Sequence, residues 1–98
     1  MSRLYYTPPE NHIFEEVREK AILLWHEVDT DNDRFGYATS KVNQIKNIGN
    51  VGDNLMFIVA MFDFENQRKF AQQLSDASRL AIRERMIDGG SPEYLITF

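Results

Sequence analysis

The sequence predicts an all-α protein, a compact bundle of four to five short helices, with short extended segments as an option at its N- and C-terminal ends. Three observations predict it. Apolar residues at Ile13, Phe14, Val17, Ala21, Leu24, Trp25 and Val28 recur with a period near 3.6. Residues that accept hydrogen bonds from helix N-termini, Thr7, Asp53, Asp63 and Ser75, stand immediately before the candidate helical runs. The pair Gly89-Gly90 then ends the last periodic run, as helix C-termini favour.

The elements follow in order. Tyr5-Tyr6 has the character of a short extended segment. Thr7-Pro8-Pro9-Glu10 reads as a helix start, with Thr7 as cap, Pro8 at the first helical position and Glu10 three residues after the cap. The first helix is expected to run to Val28, with Glu15, Glu16, Arg18, Glu19 and Lys20 mostly off its apolar face. A polar loop is expected over 29–36, then a short helix capped by Thr39 or Ser40 with Val42 and Ile45 inward, its end punctuated by Gly49 and Gly52. Asp53 is expected to cap a third helix, Asn54 to Phe62, that is apolar all round. Periodicity leaves a buried helix or a buried strand open there, and the content of Leu, Met and Ala favours helix. Asp63 and Ser75 are expected to cap the last segments, 64–74 and 76–87, as two helices or one with a kink. After Ser91-Pro92, the tail from Glu93 to Phe98 has strand character. It has three options: docking on the domain, pairing with 4–6, or reaching into a neighbouring subunit.

Composition bounds the function. At 98 residues the chain makes one domain, residues 1–98. Its 43% apolar and 27% charged content places it among globular rather than disordered chains. With no cysteine, thiolate zinc sites, disulfides and thiol catalysis are excluded, and a reducing cytoplasm fits. No signal peptide is read at the N-terminus, and the longest apolar run, Leu55 to Phe62, is far shorter than the roughly 20 residues a membrane helix needs. A net charge of −4 argues against general nucleic-acid binding, which rests on neutralising phosphates. No membrane partner and no cofactor are expected. Seven Phe, four Tyr and one Trp, several of them near the termini, lead us to expect a homo-oligomer.

The candidate sites are few. Asp29, Asp31 and Asp33 alternate as in a calcium-binding helix-loop-helix, but Arg34 occupies the position that needs Gly and Ser40 the position that needs a bidentate Glu. They are weak metal candidates, and a solvated turn, in which Asp and Asn bond to their own backbone, is the preferred reading. Ile48-Gly49-Asn50-Val51-Gly52 holds a Gly-x-x-Gly that reads as a connection between helices rather than a nucleic-acid clamp, since it has no basic residue and no accompanying sheet. His26 and Asp29 form a candidate acid–base pair without a convincing nucleophile, so a histidine favoured by a helix C-terminus is the preferred reading. Arg79 and Arg83 make a basic ridge, with Asp76 placed to pair within the helix. Arg34, Tyr37, Lys41 and Arg68 are the ligand-binding candidates: a ring that stacks on a base, beside cations that hold phosphate.

Taken with the runs 37–46, Asn50-Val51-Gly52-Asp53-Asn54, Val59-Ala60-Met61-Phe62-Asp63 and Asn66-Gln67, the Tyr-x-x-Pro-Pro opening and the Asp-Gly-Gly-x-Pro-Glu ending, the chain resembles small uncharacterised proteins of tailed bacteriophages and prophages. The resemblance covers most of the chain and implies a setting rather than an activity. In that setting the expected function is non-enzymatic binding, sequestering a nucleotide-type signal of host antiviral defence. The alternatives are an acidic inhibitor of a host protein acting through 29–33, and a metal-dependent hydrolase using His26.

Overall fold

The computed structural model describes residues 11–28, 33–45 and 51–98, with the side chains of 33–38 and Val51 outside that description. The expected Thr7 cap, Pro8 start, Tyr5-Tyr6 segment, Asp29, Asp31, Lys46 and Gly49 lie outside the described residues. The chain is all-α. Among the described residues five helices follow one another: α1 (Asn11–Val28), α2 (Asp33–Gln44), α3 (Val51–Val59), α4 (Phe64–Gln73) and α5 (Asp76–Asp88), with a 3₁₀ turn at Glu93–Leu95. A radius of gyration of 13.0 Å matches the roughly 13 Å of a folded 100-residue domain.

Helix α1 is the hub, packing against each of the other four helices, while α3 also packs on α5. Its buried stripe, Phe14, Val17, Ala21, Leu24 and Trp25, is the one its period predicts. Onto it close Val42 of α2, Leu55, Ile58 and Val59 of α3, Phe62 of the following corner, Phe70 of α4, Leu74, and Ala81 and Ile82 of α5. The aromatic rings run as a chain through this core. Trp25 stacks on Phe62 at 5.2 Å, Phe62 meets Phe70 at 5.1 Å, and Phe98 meets Phe70 edge-on at 6.1 Å.

Helix α2 begins earlier than expected. Arg34, Gly36, Tyr37, Thr39 and Ser40 are helical, so the loop does not extend to Gly36, and neither Thr39 nor Ser40 is a cap. Phe35, Ala38, Val42 and Ile45 repeat at helical spacing, and this stripe outweighs the cost of about 1 kcal/mol for a Gly inside a helix. Helix α3 is a helix, not a strand, but it starts at Val51. Asp53 therefore lies in its first turn and is no cap, and buried Gly52 opens α3 rather than closing α2. Nor is α3 buried all round. It packs on α1 and α5 from one side, leaving Phe57 65% exposed. The Asp53 carboxylate instead takes Arg85 of α5, whose Nε donates at 3.0 Å.

The α3–α4 corner is closed by side chains. Gln67 Nε2 donates to the carbonyls of Phe62 at 3.0 Å and Val59 at 3.3 Å, the latter also accepting from the Phe62 amide at 3.1 Å, so the side chain ties α4 to the end of α3. The Asp63 carboxylate accepts from the Asn66 amide at 2.9 Å, the expected cap. Asp63→Ala is expected to cost about 1 kcal/mol and to lower the melting temperature by roughly 4–8 °C. A calorimetric shift below about 2 °C would show that the cap contributes nothing.

Leu74 and Ser75 separate α4 from α5, so these are two helices, and Ser75 caps the second as expected. Gly90, at φ 88°, ends α5 in the left-handed region that side chains disfavour. The tail is not a strand. It turns at Glu93–Leu95 and docks on its own domain, where Arg83 donates to Glu93 at 2.6 Å and to the Phe98 carbonyl at 3.1 Å. Pro92 carries no N–H, and the ring of Phe98 finds its apolar partner in Phe70 rather than in a neighbouring strand.

Candidate functional site

The docked tail makes one wall of an open groove of about 500 Å³. Helix α4 supplies the other wall through Phe64, Arg68, Ala71 and Gln72, residues spaced to share one face. Arg79, in the first turns of α5, stands at the groove between them, and Tyr94, Ile96 and Thr97 come from the tail. The lining thus carries two guanidinium groups, an amide, a hydroxyl, a phenol and an exposed phenyl ring.

Each part is held by an interaction described above or by one more. The start of α5 is fixed from across the molecule by Glu16 of α1. Its carboxylate accepts from the Ser75 amide at 2.8 Å, the Ser75 hydroxyl at 2.7 Å and the buried Ser78 hydroxyl at 2.5 Å. Burial pushes the Glu16 carboxyl up, but the hydroxyls of Ser78 and Ser75, the Ser75 amide and the nearby Lys20 charge outweigh it and hold its pKa below the usual range. Arg79, next to Ser78, is thereby set at the groove.

The cations of the groove differ. Arg68 is exposed and has no ion pair or hydrogen bond among the described residues. Arg79 pairs with Asp76, three residues before it, whose side chain is 92% exposed. Thr97, on the groove lining, has its Oγ1 buried without a hydrogen-bond partner among the described residues, a state that costs about 1–3 kcal/mol. Tyr94 is 85% exposed, and Phe64 is half-exposed.

The expected ligand residues fall in two places. Positions 34, 37 and 41 lie on one stripe of a continuous α2, which packs on α1; Lys41 is exposed in its last turn, and the side chains of Arg34 and Tyr37 are among those not described. Arg68 stands apart from that stripe in chain and setting, in a groove whose described lining comes from α4, α5 and the tail. Arg79, Gln72, Tyr94 and Thr97 are the residues that sequence reasoning did not join to Arg68. The only local signal was the one-turn spacing of Arg68 and Gln72.

The other candidates narrow. The described residues hold no group of three His, Asp or Glu side chains arranged to bind a metal. Asp29 and Asp31 lie outside them, and so does the side chain of Asp33. His26 is exposed in the last turn of α1, where the helix dipole favours a histidine, and its expected partner Asp29 is not described. Asp53, Met56, Phe57 and Ala60 line a second, shallow and mainly apolar depression on the outer side of α3. Among the described residues no helix is long and apolar enough to cross a membrane. No family model matches the chain, and no curated protein and no solved structure matches it.

Proposed function

We propose that the protein is a small non-enzymatic binding protein of phage type that takes up a nucleotide-type ligand, sequestering it as a means of countering host antiviral defence. The observation that carries this reading is the groove lined by Arg68, without a described partner, by Arg79 and by two exposed rings, Phe64 and Tyr94. Rings of this kind stack on a base with little regard to its identity, and guanidinium groups match the geometry of phosphate. The concentration of cations in one groove of a chain with net charge −4 supports a small placed anion rather than a nucleic-acid backbone. The α2 stripe of positions 34, 37 and 41 remains a second proposed contact surface for the same class of ligand. The exposed Phe57 and Tyr94 support the homo-oligomer that the aromatic content leads us to expect.

Thermal denaturation with a panel of linear and cyclic nucleotides tests this. A ligand that binds only the folded state raises the apparent stability by about 2.7 kcal/mol at a hundred times its Kd. Arg68→Ala and Tyr94→Ala are each expected to lose about tenfold or more in affinity while melting as the parent does, because both side chains are exposed. Flat titrations across the panel would transfer the proposal to an acidic inhibitor of a host protein acting through 29–33. Retained affinity in both variants, with loss on Tyr37→Ala or Lys41→Ala, would move the site to α2.

A further inference from the structure

We infer that Arg68 and Arg79 form a phosphate subsite at the base of this groove, and that the Asp76 carboxylate occupies Arg79 in the place of a ligand phosphate until one arrives. The inference rests on the reading of the groove as a nucleotide site and names which end of the ligand goes where. Both arginines line one groove, so a single anion held there is attracted by two positive charges. Asp76 answers only one of them. It pairs with Arg79, three residues on, and Arg68 has no anion among the described residues.

The Asp76–Arg79 pair is built to be exchanged. Its carboxylate is 92% exposed, so the pair is screened by solvent and salt and contributes little to the fold. A phosphate brings more acceptor oxygens than a carboxylate and reaches both guanidinium forks at once, which Asp76 on the first turn of α5 does not. Gln72 on the same lining offers a further donor. The remaining ring positions, Phe64 and Tyr94, are left for the base. The subsite therefore requires a phosphate, and it predicts that an acidic side chain of the protein competes with the ligand.

The test is titration calorimetry of the full chain with inorganic pyrophosphate, with AMP and GMP, and with adenosine and guanosine. Pyrophosphate and the nucleotides are expected to bind, the nucleosides to bind at least tenfold more weakly, and affinity to fall with added salt. Arg79→Ala is expected to weaken pyrophosphate binding about tenfold. Asp76→Asn, which deletes the competitor and leaves both arginines, is expected to tighten it about two- to fivefold. Circular dichroism melts of both variants close to the parent show that the fold is retained. Nucleosides that bind as well as nucleotides would overturn the phosphate subsite and leave the nucleotide reading standing. An Asp76→Asn affinity that is unchanged or weaker would overturn the competitor role of Asp76. Pyrophosphate binding without any nucleotide binding would sustain the subsite and overturn the nucleotide reading. No binding by any probe would overturn both.

Discussion

Phe70→Ala is expected to cost about 3–5 kcal/mol, the range for emptying a fully buried phenyl site. The side chain has no exposed surface and joins two contacts that otherwise do not meet. On one side it holds Phe62, itself stacked on Trp25, and on the other it receives Phe98 from the tail. Emptying it leaves a cavity between the rings of Phe62 and Phe98. A domain of this size has a total stability of about 5–15 kcal/mol, so the variant would sit close to its unfolding threshold. The melting temperature is expected to fall by at least about 12 °C. Two comparisons separate the contributions. Phe70→Leu keeps much of the volume and is expected to cost under about 2 kcal/mol. Phe98→Ala removes the edge-on contact and undocks the tail, costing less than Phe70→Ala while removing the wall that carries Tyr94 and Thr97. A Phe70→Ala protein that melts within about 5 °C of the parent would mean the ring chain is not the centre of the core.

What could be read from the sequence divides along a physical line. Information within one or two turns was legible: the α1 stripe from Phe14 to Trp25, the caps at Asp63 and Ser75, and the stop at Gly89-Gly90 all need only helical periodicity and local hydrogen bonding. Errors arose where two local signals conflicted. Around Gly36, turn-forming residues and helical periodicity overlap, and the helix prevails, in an element that packs on α1. In α3, hydrophobicity on every side gives no phase, so sequence could not tell which side faces α1 and α5 and which leaves Phe57 in solvent. The groove was legible least. Arg68 was identified, but its neighbours Arg79 and Tyr94 are brought to it by the direction α5 takes after the Leu74–Ser75 break, whose cap was legible but whose geometry was not, and by Arg83 holding the tail. The Glu16 network is invisible for the same reason: 59 residues separate Glu16 from Ser75.

That network carries the second large effect. Glu16→Ala is expected to destabilise the fold by about 2–3 kcal/mol, because it removes a charged acceptor of three hydrogen bonds and leaves the Ser78 hydroxyl buried without it. The loss should be concentrated at the start of α5, where Ser75 would still cap the helix through the Ser78 amide at 3.3 Å but would no longer be tied to α1. Hydrogen exchange is therefore expected to rise first in α5 and the α4–α5 corner, and affinity for an anion in the groove to drop as Arg79 loses its fixed setting. The pH dependence follows from the direction of the shift. The folded-state pKa of Glu16 lies below its ordinary value of 4.5, so the native state holds fewer protons there than the unfolded chain. The contribution of Glu16 is then complete above about pH 4.5 and is lost as pH falls through the lower, folded-state value. Glu16→Gln keeps the shape and one acceptor but cannot titrate. Its stability deficit relative to the parent is expected to be constant above about pH 5 and to shrink steadily below it, as the parent loses the advantage of its charge. Parallel denaturant titrations at pH 7, 5, 4 and 3 measure that difference directly, with the other carboxylates cancelling between the two proteins. A deficit that stays the same at pH 3 as at pH 7 would show that the charge of Glu16 does not hold α1 to α5, and that the hydroxyl contacts act through shape alone.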